Sequence, residues 1–278
     1  MNKGNQEIKA TIRLEQAKQN FTKSEHKIYQ YIINNTDHVL YHSLTELSEA
    51  CSVGEATVLR LFRKIGYKGF QEFKFSLAKE IDSNDEENQD DSYVYKVKKN
   101  MVTAIEDSYH VIDERKLQEA LQLIEDGKKV VIFGVGSSSI AALDMQTRLL
   151  RIGINVEVFG DPHFQIMRTA SMDTDTIVIA ISLTGSSKDT VDSVEAAKKK
   201  GAKVISITNY SKSPLTKLSD CILLSSAKES PLDSGSLVSK VAQLFVIDLI
   251  CTGLTIRNFE RAEESKMIIS ESITGKLY

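Results

Sequence analysis

The feature that most constrains the fold is an uninterrupted apolar run, residues 177–181, that leads directly into a loop rich in hydroxyl side chains. The run is short, mostly β-branched, and free of both charge and period-two alternation. Such a run is typical of a strand buried on both faces, as in a parallel sheet. The next segment, 188–200, has the apolar stripe of an amphipathic helix. This order predicts an anion site, because the first N–H groups of a helix lack partners within it.

The loop itself offers hydroxyl groups that suit the oxygens of a phosphate. A glycine among them lets the backbone approach a ligand closely. The same residues would also serve as an ordinary loop and helix cap, and for this loop alone the two interpretations are balanced. The candidate phosphate-binding residues are Ser182, Thr184, Gly185, Ser186 and Ser187.

A second loop of the same kind lies upstream, where the apolar run 129–133 leads into Gly134-Val135-Gly136 and three serines. A dinucleotide site is one interpretation of this Gly-x-Gly pattern, but the third glycine of that fingerprint is replaced by Ser139. Two hydroxyl-rich loops at the carboxyl ends of parallel strands fit a smaller phosphorylated ligand better. Ser137 and Ser138 are therefore predicted to contact its phosphate or its sugar hydroxyls.

Alternating strand and helix patterns run from this loop onward, with a short helix expected over 213–218. The predicted fold class is an α/β domain with a five-stranded parallel sheet and helices on both faces, preceded by an all-α domain. The acidic, polar segment 82–92 is the expected linker between an N-terminal domain, 1–81, and a second domain, 93–278. Residues 1–20 are interpreted as a polar lead-in with weak helical spacing.

The N-terminal domain contains two short helical patterns around a turn at 52–54. Thr22 and Ser43 are each followed three residues later by Glu, which predicts two capping boxes. The second short helix, 55–64, is expected to enter the major groove of DNA as in a helix-turn-helix. Residues 55–79 hold six Lys or Arg against two Glu, which supplies local positive charge for phosphate contacts. The candidate DNA-binding residues are Gly54, Glu55, Ala56, Thr57, Arg60, Arg63, Lys64, Lys68 and Lys74.

The composition of the 278-residue chain sets further limits on its function. A net charge of −3 means that any DNA-binding face must be local. The absence of a long apolar run and of a signal-peptide pattern predicts a cytoplasmic protein with no membrane partner. Three widely spaced cysteines in apolar contexts indicate buried free thiols rather than a disulfide or metal site. They are Cys51, Cys221 and Cys251.

The two loops, read as GVGSSS and SLTGSS, resemble those of the sugar isomerase (SIS) phosphosugar-binding domain, which has a flavodoxin-like arrangement. Residues 55–74 resemble the signature around the recognition helix of RpiR/MurR-type bacterial regulators, many of which carry Ser where this chain has Gly54. Together the resemblances cover nearly the whole chain. They imply a transcriptional regulator of carbohydrate metabolism with an amino-sugar or hexose 6-phosphate as effector. They also imply a homodimer or homotetramer on a double-stranded DNA operator. In its place after the fifth strand, Glu229 resembles the acid that contacts sugar in SIS domains.

An isomerase would need a base that moves a proton between neighbouring carbons. The titratable candidates near loops are His110, Asp161, His163 and Glu229, and they form no convincing base–acid pair. We therefore expect ligand binding without turnover, with no cofactor and no metal. A phosphosugar isomerase with an attached DNA-binding head is the alternative, and a dinucleotide-binding redox sensor is a third hypothesis.

Overall fold

A computed structural model describes residues 9–82, 92–227 and 237–275. The chain divides into two compact units, and the division falls within a long helix, after Val97. Residues 83–91, which form most of the expected linker, lie outside the described residues, as does Glu229. The predicted domain limits remain a prediction. Each unit is described separately below.

The N-terminal unit is all α. Its helices are α1 (Ala10–Ala17), α2 (Lys23–Asn34), α3 (Thr36–Val39), α4 (Leu44–Ala50), α5 (Glu55–Lys64) and α6 (Phe70–Asp82), with a 3-10 turn at Lys18–Asn20. Helix α7 (Tyr93–Val111) begins in this unit and ends in the next.

Local sequence signals explain where these helices start. Thr22 and Ser43 both form the predicted capping boxes, each accepting from the N–H of the Glu three residues on. One core cluster unites all of the helices from α1 to α6, with Phe62 and Phe73 stacked at its centre. The prediction for 1–20 was wrong in part, because α1 buries Ala10 and Leu14 in this core. A short helix with only two buried positions gives almost no periodic signal.

The second unit is built on a sheet of five parallel strands. The strands are β1 (Lys129–Gly134), β2 (Val156–Phe159), β3 (Thr176–Ile181), β4 (Lys203–Thr208) and β5 (Cys221–Leu224), in the order β2-β1-β3-β4-β5. The helices are α8 (Glu114–Asp126), α9 (Ser137–Arg151), α10 (Pro162–Thr169), α11 (Lys188–Lys199), α12 (Leu237–Arg257) and α13 (Phe259–Thr274).

Both faces of the sheet are buried, as the apolar strand runs predict. In β1, Val130 and Ile132 belong to one core cluster while Val131 and Phe133 belong to another on the opposite face. The first cluster includes residues of α8, α9 and α12, and the second includes residues of α11. The fold class is thus confirmed. The helix expected over 213–218 is only a 3-10 turn, Thr216–Leu218.

Helix α12 is the one described helix that is long and apolar enough to cross a membrane by length and composition. Its apolar side chains are instead part of the core beneath the sheet, and they include Val246, Ile247 and Ile250. A buried core helix satisfies the same length and composition criteria.

Candidate functional site

The two hydroxyl-rich loops begin side by side. Strands β1 and β3 are neighbours in the sheet, and Gly134 at the end of β1 is paired with Ile181 at the end of β3. From β1 the chain goes outward to β2, whereas from β3 it goes the other way to β4. This divergence opens a crevice at the carboxyl edge of a parallel sheet, where open α/β proteins bind ligands.

The β3 loop is held by its backbone, which leaves several side chains available. The N–H of Ser182 donates to the Ile207 carbonyl (3.0 Å), and the Ser182 carbonyl accepts from the Gly185 N–H (3.2 Å). The Ser186 N–H donates to the Thr184 hydroxyl (3.2 Å). The hydroxyls of Ser182 and Ser187 make no hydrogen bond to any described residue.

The fold of the loop itself requires a glycine at position 185. Its φ is +59°, and a β-carbon there would lie 2.2 Å from the Ser213 hydroxyl oxygen. Close approach to a phosphate, the role predicted for Gly185, is therefore not the whole explanation for a glycine at this position. The glycine is required first by the left-handed backbone and by the packing of the loop on Ser213.

In the β1 loop, two of the three serines already have partners, and one of these is Ser139, whose hydroxyl donates to the Gly136 carbonyl (2.7 Å). Ser138 is buried, and its hydroxyl oxygen accepts from the Nε2 of Gln243 on α12 (3.2 Å). Ser137 is exposed. Sequence reasoning missed Gln243; its only signal was a single amide within the otherwise apolar run 241–247 of α12.

The helices that start at these loops have open N-termini. Gly136 caps α9 and Ser187 caps α11, and neither supplies a side-chain hydrogen bond to the helix. By contrast, Asp113 and Asp161 cap α8 and α10 with their carboxylates. In α9 the N–H groups of Ser138 and Ser139 donate to the Val135 and Gly136 carbonyls (3.3 and 3.1 Å). The start of α11 is therefore the better place for a phosphate, because unpaired N–H groups and the helix dipole both favour an anion.

Of the predicted acid–base candidates, Asp161 and His163 lie together at the start of α10, with His163 Nδ1 3.6 Å from an Asp161 carboxylate oxygen. Asp161 is the N-cap of α10 and accepts from the N–H groups of His163 and Phe164. The His163 side chain is 93% exposed, and His110 is exposed on α7. Asp161 is also the acid that a dinucleotide site would place after β2, and here its carboxylate caps α10.

The candidate DNA interface is the helix pair α4 and α5. The hydroxyl of Thr45 donates to the Glu55 carboxylate (2.7 Å), which ties the start of α5 to α4. Glu55 therefore holds the helices together, in addition to any contact with DNA. Gly54 is the N-cap of α5, has an extended backbone and has open space around its Cα.

Burial of the apolar stripe of α5 leaves the opposite face of the helix exposed to solvent. Val58, Leu61 and Phe62 are in the core. Besides Lys64, three long cationic side chains lie on exposed positions of α5 and the following turn, and Ala56 and the half-buried Thr57 lie near the helix start. The cations are Arg60, Arg63 and Lys68.

Two of the predicted cationic contacts are structural. The Lys64 ammonium pairs with Glu25 (2.9 Å) and donates to the Asn20 carbonyl (2.6 Å). The prediction that Lys74 contacts DNA was wrong. The residue is 4% exposed, and its ammonium donates to the His42 carbonyl (3.0 Å). Burial lowers the pKa of Lys74 to about 8, against an opposing effect of Glu46. A buried ammonium that is held by a carbonyl cannot reach a DNA phosphate.

The three cysteines are buried, as predicted. Burial raises the pKa of Cys51 and of Cys221 to about 11 and that of Cys251 to about 12. These thiols are therefore protonated at neutral pH and have little thiolate reactivity.

Comparison with known proteins agrees with this architecture. The helix-turn-helix domain of the rpiR family matches residues 8–84, and the SIS domain matches residues 123–253. A Haemophilus influenzae protein described as an uncharacterized HTH-type transcriptional regulator is 35% identical over 84% of this chain and 85% of its own. A Clostridium perfringens regulator with the same description is 33% identical over 94% of this chain and 97% of its own.

A solved structure covers almost the whole chain. It is the Vibrio vulnificus NanR protein complexed with ManNAc-6P, which has a TM-score of 0.89 and 28% identity, covering 96% of this chain and 99% of that chain. A helix-turn-helix head and a SIS domain in one chain define a DNA-binding transcriptional regulator. The chain belongs to the rpiR family of these helix-turn-helix regulators.

Proposed function

We propose that this regulator controls genes of carbohydrate metabolism in response to an amino-sugar or hexose 6-phosphate bound at the carboxyl edge of the sheet. The observation that carries the proposal is the pairing of Gly134 with Ile181, which brings two hydroxyl-rich loops to one crevice. NanR, similar over the full chain, was solved with ManNAc-6P. That likeness favours the amino-sugar class of effector.

In this proposal the phosphate lies between the β3 loop and the two open helix starts. Ser182, Thr184, Ser186 and Ser187 hold its oxygens, since hydroxyls donate readily to an oxyanion. Ser137 and Ser138 bind a phosphate oxygen or a sugar hydroxyl. Because Gln243 donates to the Ser138 oxygen, the Ser138 proton is directed to another acceptor, which a ligand oxygen would provide.

The output is DNA binding by α5. Arg60, Arg63 and Lys68 would contact phosphates, and Ala56 and Thr57 would face base edges in the major groove. We propose a homodimer or homotetramer in the cytoplasm, because a helix-turn-helix commonly binds two half-sites about one helical turn apart. The effector changes DNA affinity only if it binds two arrangements of the oligomer unequally.

The proposal is one of binding without turnover. The predicted candidates Asp161 and His163 do lie together, with His163 Nδ1 3.6 Å from the Asp161 carboxylate, but both side chains are at the surface and the carboxylate caps α10. The relatives compared above are regulators by name. A turnover assay of the purified protein with each sugar phosphate tests this part directly. Isomerised product would favour the alternative of a phosphosugar isomerase.

The first experiment is a thermal-shift screen of the full chain against sugar 6-phosphates, each compared with its unphosphorylated sugar. Ligand binding to the folded state raises stability by about 2.7 kcal/mol at a hundred times Kd. We expect a shift for one phosphosugar and none for its parent sugar. Ser182→Ala should then weaken binding about tenfold or more, because a hydrogen bond to a charged group is removed.

Ser206→Ala is the matched control for Ser182→Ala. Ser206 lies in β4, is fully buried, and has a hydroxyl with no hydrogen-bond partner in the structure. Removing it takes away the same atom at a site without a ligand, so the response to the phosphosugar should persist. Equal responses in wild type, Ser182→Ala and Ser206→Ala would mean that the β3 loop is not the phosphate site.

A further inference from the structure

A second concave site lies at the opposite edge of the sheet from the proposed effector crevice. It is a cavity of about 250 Å³ beside the amino ends of β1 and β2. Val130 lines it near the start of β1, about 13 Å along the strand from Gly134. The cavity therefore shares the sheet with the effector crevice but none of its residues.

The floor of the cavity is aliphatic. It is formed by side chains that are each at most 7% exposed. The rest of the lining is polar and includes Lys128, Asn155 and Arg261, so the floor favours an apolar body and the rim favours a polar or charged group. An engineered cavity of about 150 Å³ already holds benzene, so this one has room for a ring or a short branched chain together with a small polar group. The floor residues are Ile124, Val130, Ile152, Leu254 and Ala262.

The rim of the cavity carries one cation without a carboxylate partner. The Arg261 guanidinium donates to the Gly153 carbonyl (2.9 Å) and forms no ion pair with a described residue. Lys128, also at the rim, is paired with Asp175 (2.7 Å). The single acid of the lining, Glu125, is neutralised by Arg257 (2.7 Å).

The start of α13 also lies at this rim. Its N-cap, Asn258, makes no side-chain cap to the helix, and its amide nitrogen donates to the Glu125 carboxylate and to the Leu254 carbonyl. The first turn of α13 carries Glu260, so the positive charge offered to an anion at the rim is the Arg261 guanidinium.

We propose that this cavity binds a small monocarboxylate with an apolar body. The aliphatic floor takes the ring or branched chain, and Arg261 takes the carboxylate. A single unpaired guanidinium next to a paired Glu125 suits one negative charge better than the two of a phosphate monoester. The occupant thus differs in class from the sugar phosphate of the proposed function.

Ligand-observed NMR on the full chain tests the proposal, with benzoate as the charged probe and benzyl alcohol as the neutral one. We expect saturable benzoate binding to the wild type. Arg261→Met should weaken benzoate binding about tenfold or more and change benzyl alcohol binding by less than about twofold, because only the charge-assisted bonds are removed. Ala262→Leu, which fills the floor, should abolish the binding of both probes.

Controls separate a failed site from a failed fold. Arg115→Met removes an exposed arginine at the start of α8, away from the cavity lining, and should leave benzoate binding unchanged. If Ala262→Leu does not fold, as judged by circular dichroism, Arg261→Met decides alone. The inference is overturned if benzoate does not saturate the wild type, or if Arg261→Met binds it as well as the wild type does. Ser182→Ala should keep benzoate binding whether or not the effector proposal holds.

Discussion

The recognition helix α5 and the carboxyl-edge loops both present an open helix start, yet they are built in different ways. The functional face of α5 is what remains exposed when Val58, Leu61 and Phe62 are buried, so it follows from a local period. The crevice combines the loops of Ser137 and Ser182, which are distant in the sequence and begin side by side only because β1 and β3 are neighbours. A site on one helix tolerates changes in its surroundings, whereas a site between loops depends on how each loop is held.

The largest expected effect comes from a glycine of the crevice. Gly185→Ala forces a β-carbon into a left-handed backbone and against the Ser213 side chain. The cost is about 2–4 kcal/mol of unfolding free energy, and the phosphosugar response should disappear. Denaturant unfolding of the full chain measures the first, and the thermal shift measures the second.

A glycine of the DNA-binding unit is the matched control for Gly185. Gly54 has an extended backbone with open space around it, so Gly54→Ala should cost less than about 1 kcal/mol. Equal costs at the two positions would contradict the distinction between a loop held by its packing and an exposed helix start.

The next effect concerns the exposed cations of α5. The double variant Arg60→Ala, Arg63→Ala should lower the slope of log affinity against log salt by about 0.9 for each DNA phosphate that is no longer neutralised. Fluorescence anisotropy with a non-specific duplex measures this slope without knowledge of the operator. Lys74→Met should leave the slope unchanged, since Lys74 is buried. A slope lowered by Lys74→Met would restore that residue to the DNA-binding set.

Lys74 should also give the DNA-binding unit a distinctive pH dependence. Its pKa is about 8 in the folded protein, against 10.5 for a lysine without the burial. Between pH 8 and pH 10.5 the unfolded state therefore binds more protons than the folded state. The unfolding free energy should therefore rise with pH across this window, by up to about 3 kcal/mol from this group. Lys74→Met should remove that rise. Calorimetry at several pH values compares the two proteins, and parallel curves would contradict the buried position.

The smallest expected effect is a gain. Gly54→Ser adds a hydroxyl where the N-cap of α5 has none, and the backbone there needs no adjustment. Ser stabilises an N-cap relative to Gly by about 0.3 kcal/mol. Repeated denaturant titrations of wild type and variant resolve such a difference. A loss of stability would mean that the open start of α5 is itself required.

Much of this architecture could be predicted because its signals are local. The Thr22 and Ser43 capping boxes are encoded within four residues each, and both form. The buried run of β3 marks a parallel sheet without any knowledge of its neighbours. The core position of α1 was missed behind its weak helical spacing, and the helix predicted over 213–218 is only a 3-10 turn, because so few residues give too few periodic positions.

The candidate sites were predictable as sets of residues, and less so as geometry. Lys74 is as cationic in sequence as Arg60, and only the packing of α6 shows that it is buried. Likewise the sequence shows Gln243 only as a polar residue within a largely apolar helix. The packing of α12 against α9 is what places it beside Ser138. Charge and hydroxyl content identify candidates, but they do not state which groups are already engaged.

By itself the sequence determined the element types, the two hydroxyl-rich loops and the helix-turn-helix pattern, because helix periods, caps and apolar runs act between residues that are close in the chain. Only the tertiary structure decided that β1 and β3 are neighbours and that Gly185 packs on Ser213. It also placed a cavity with an aliphatic floor, and with Arg261 at its rim, at the opposite edge of the sheet. Strand order and the meeting of remote side chains depend on how whole layers pack, and no short stretch of sequence contains that information.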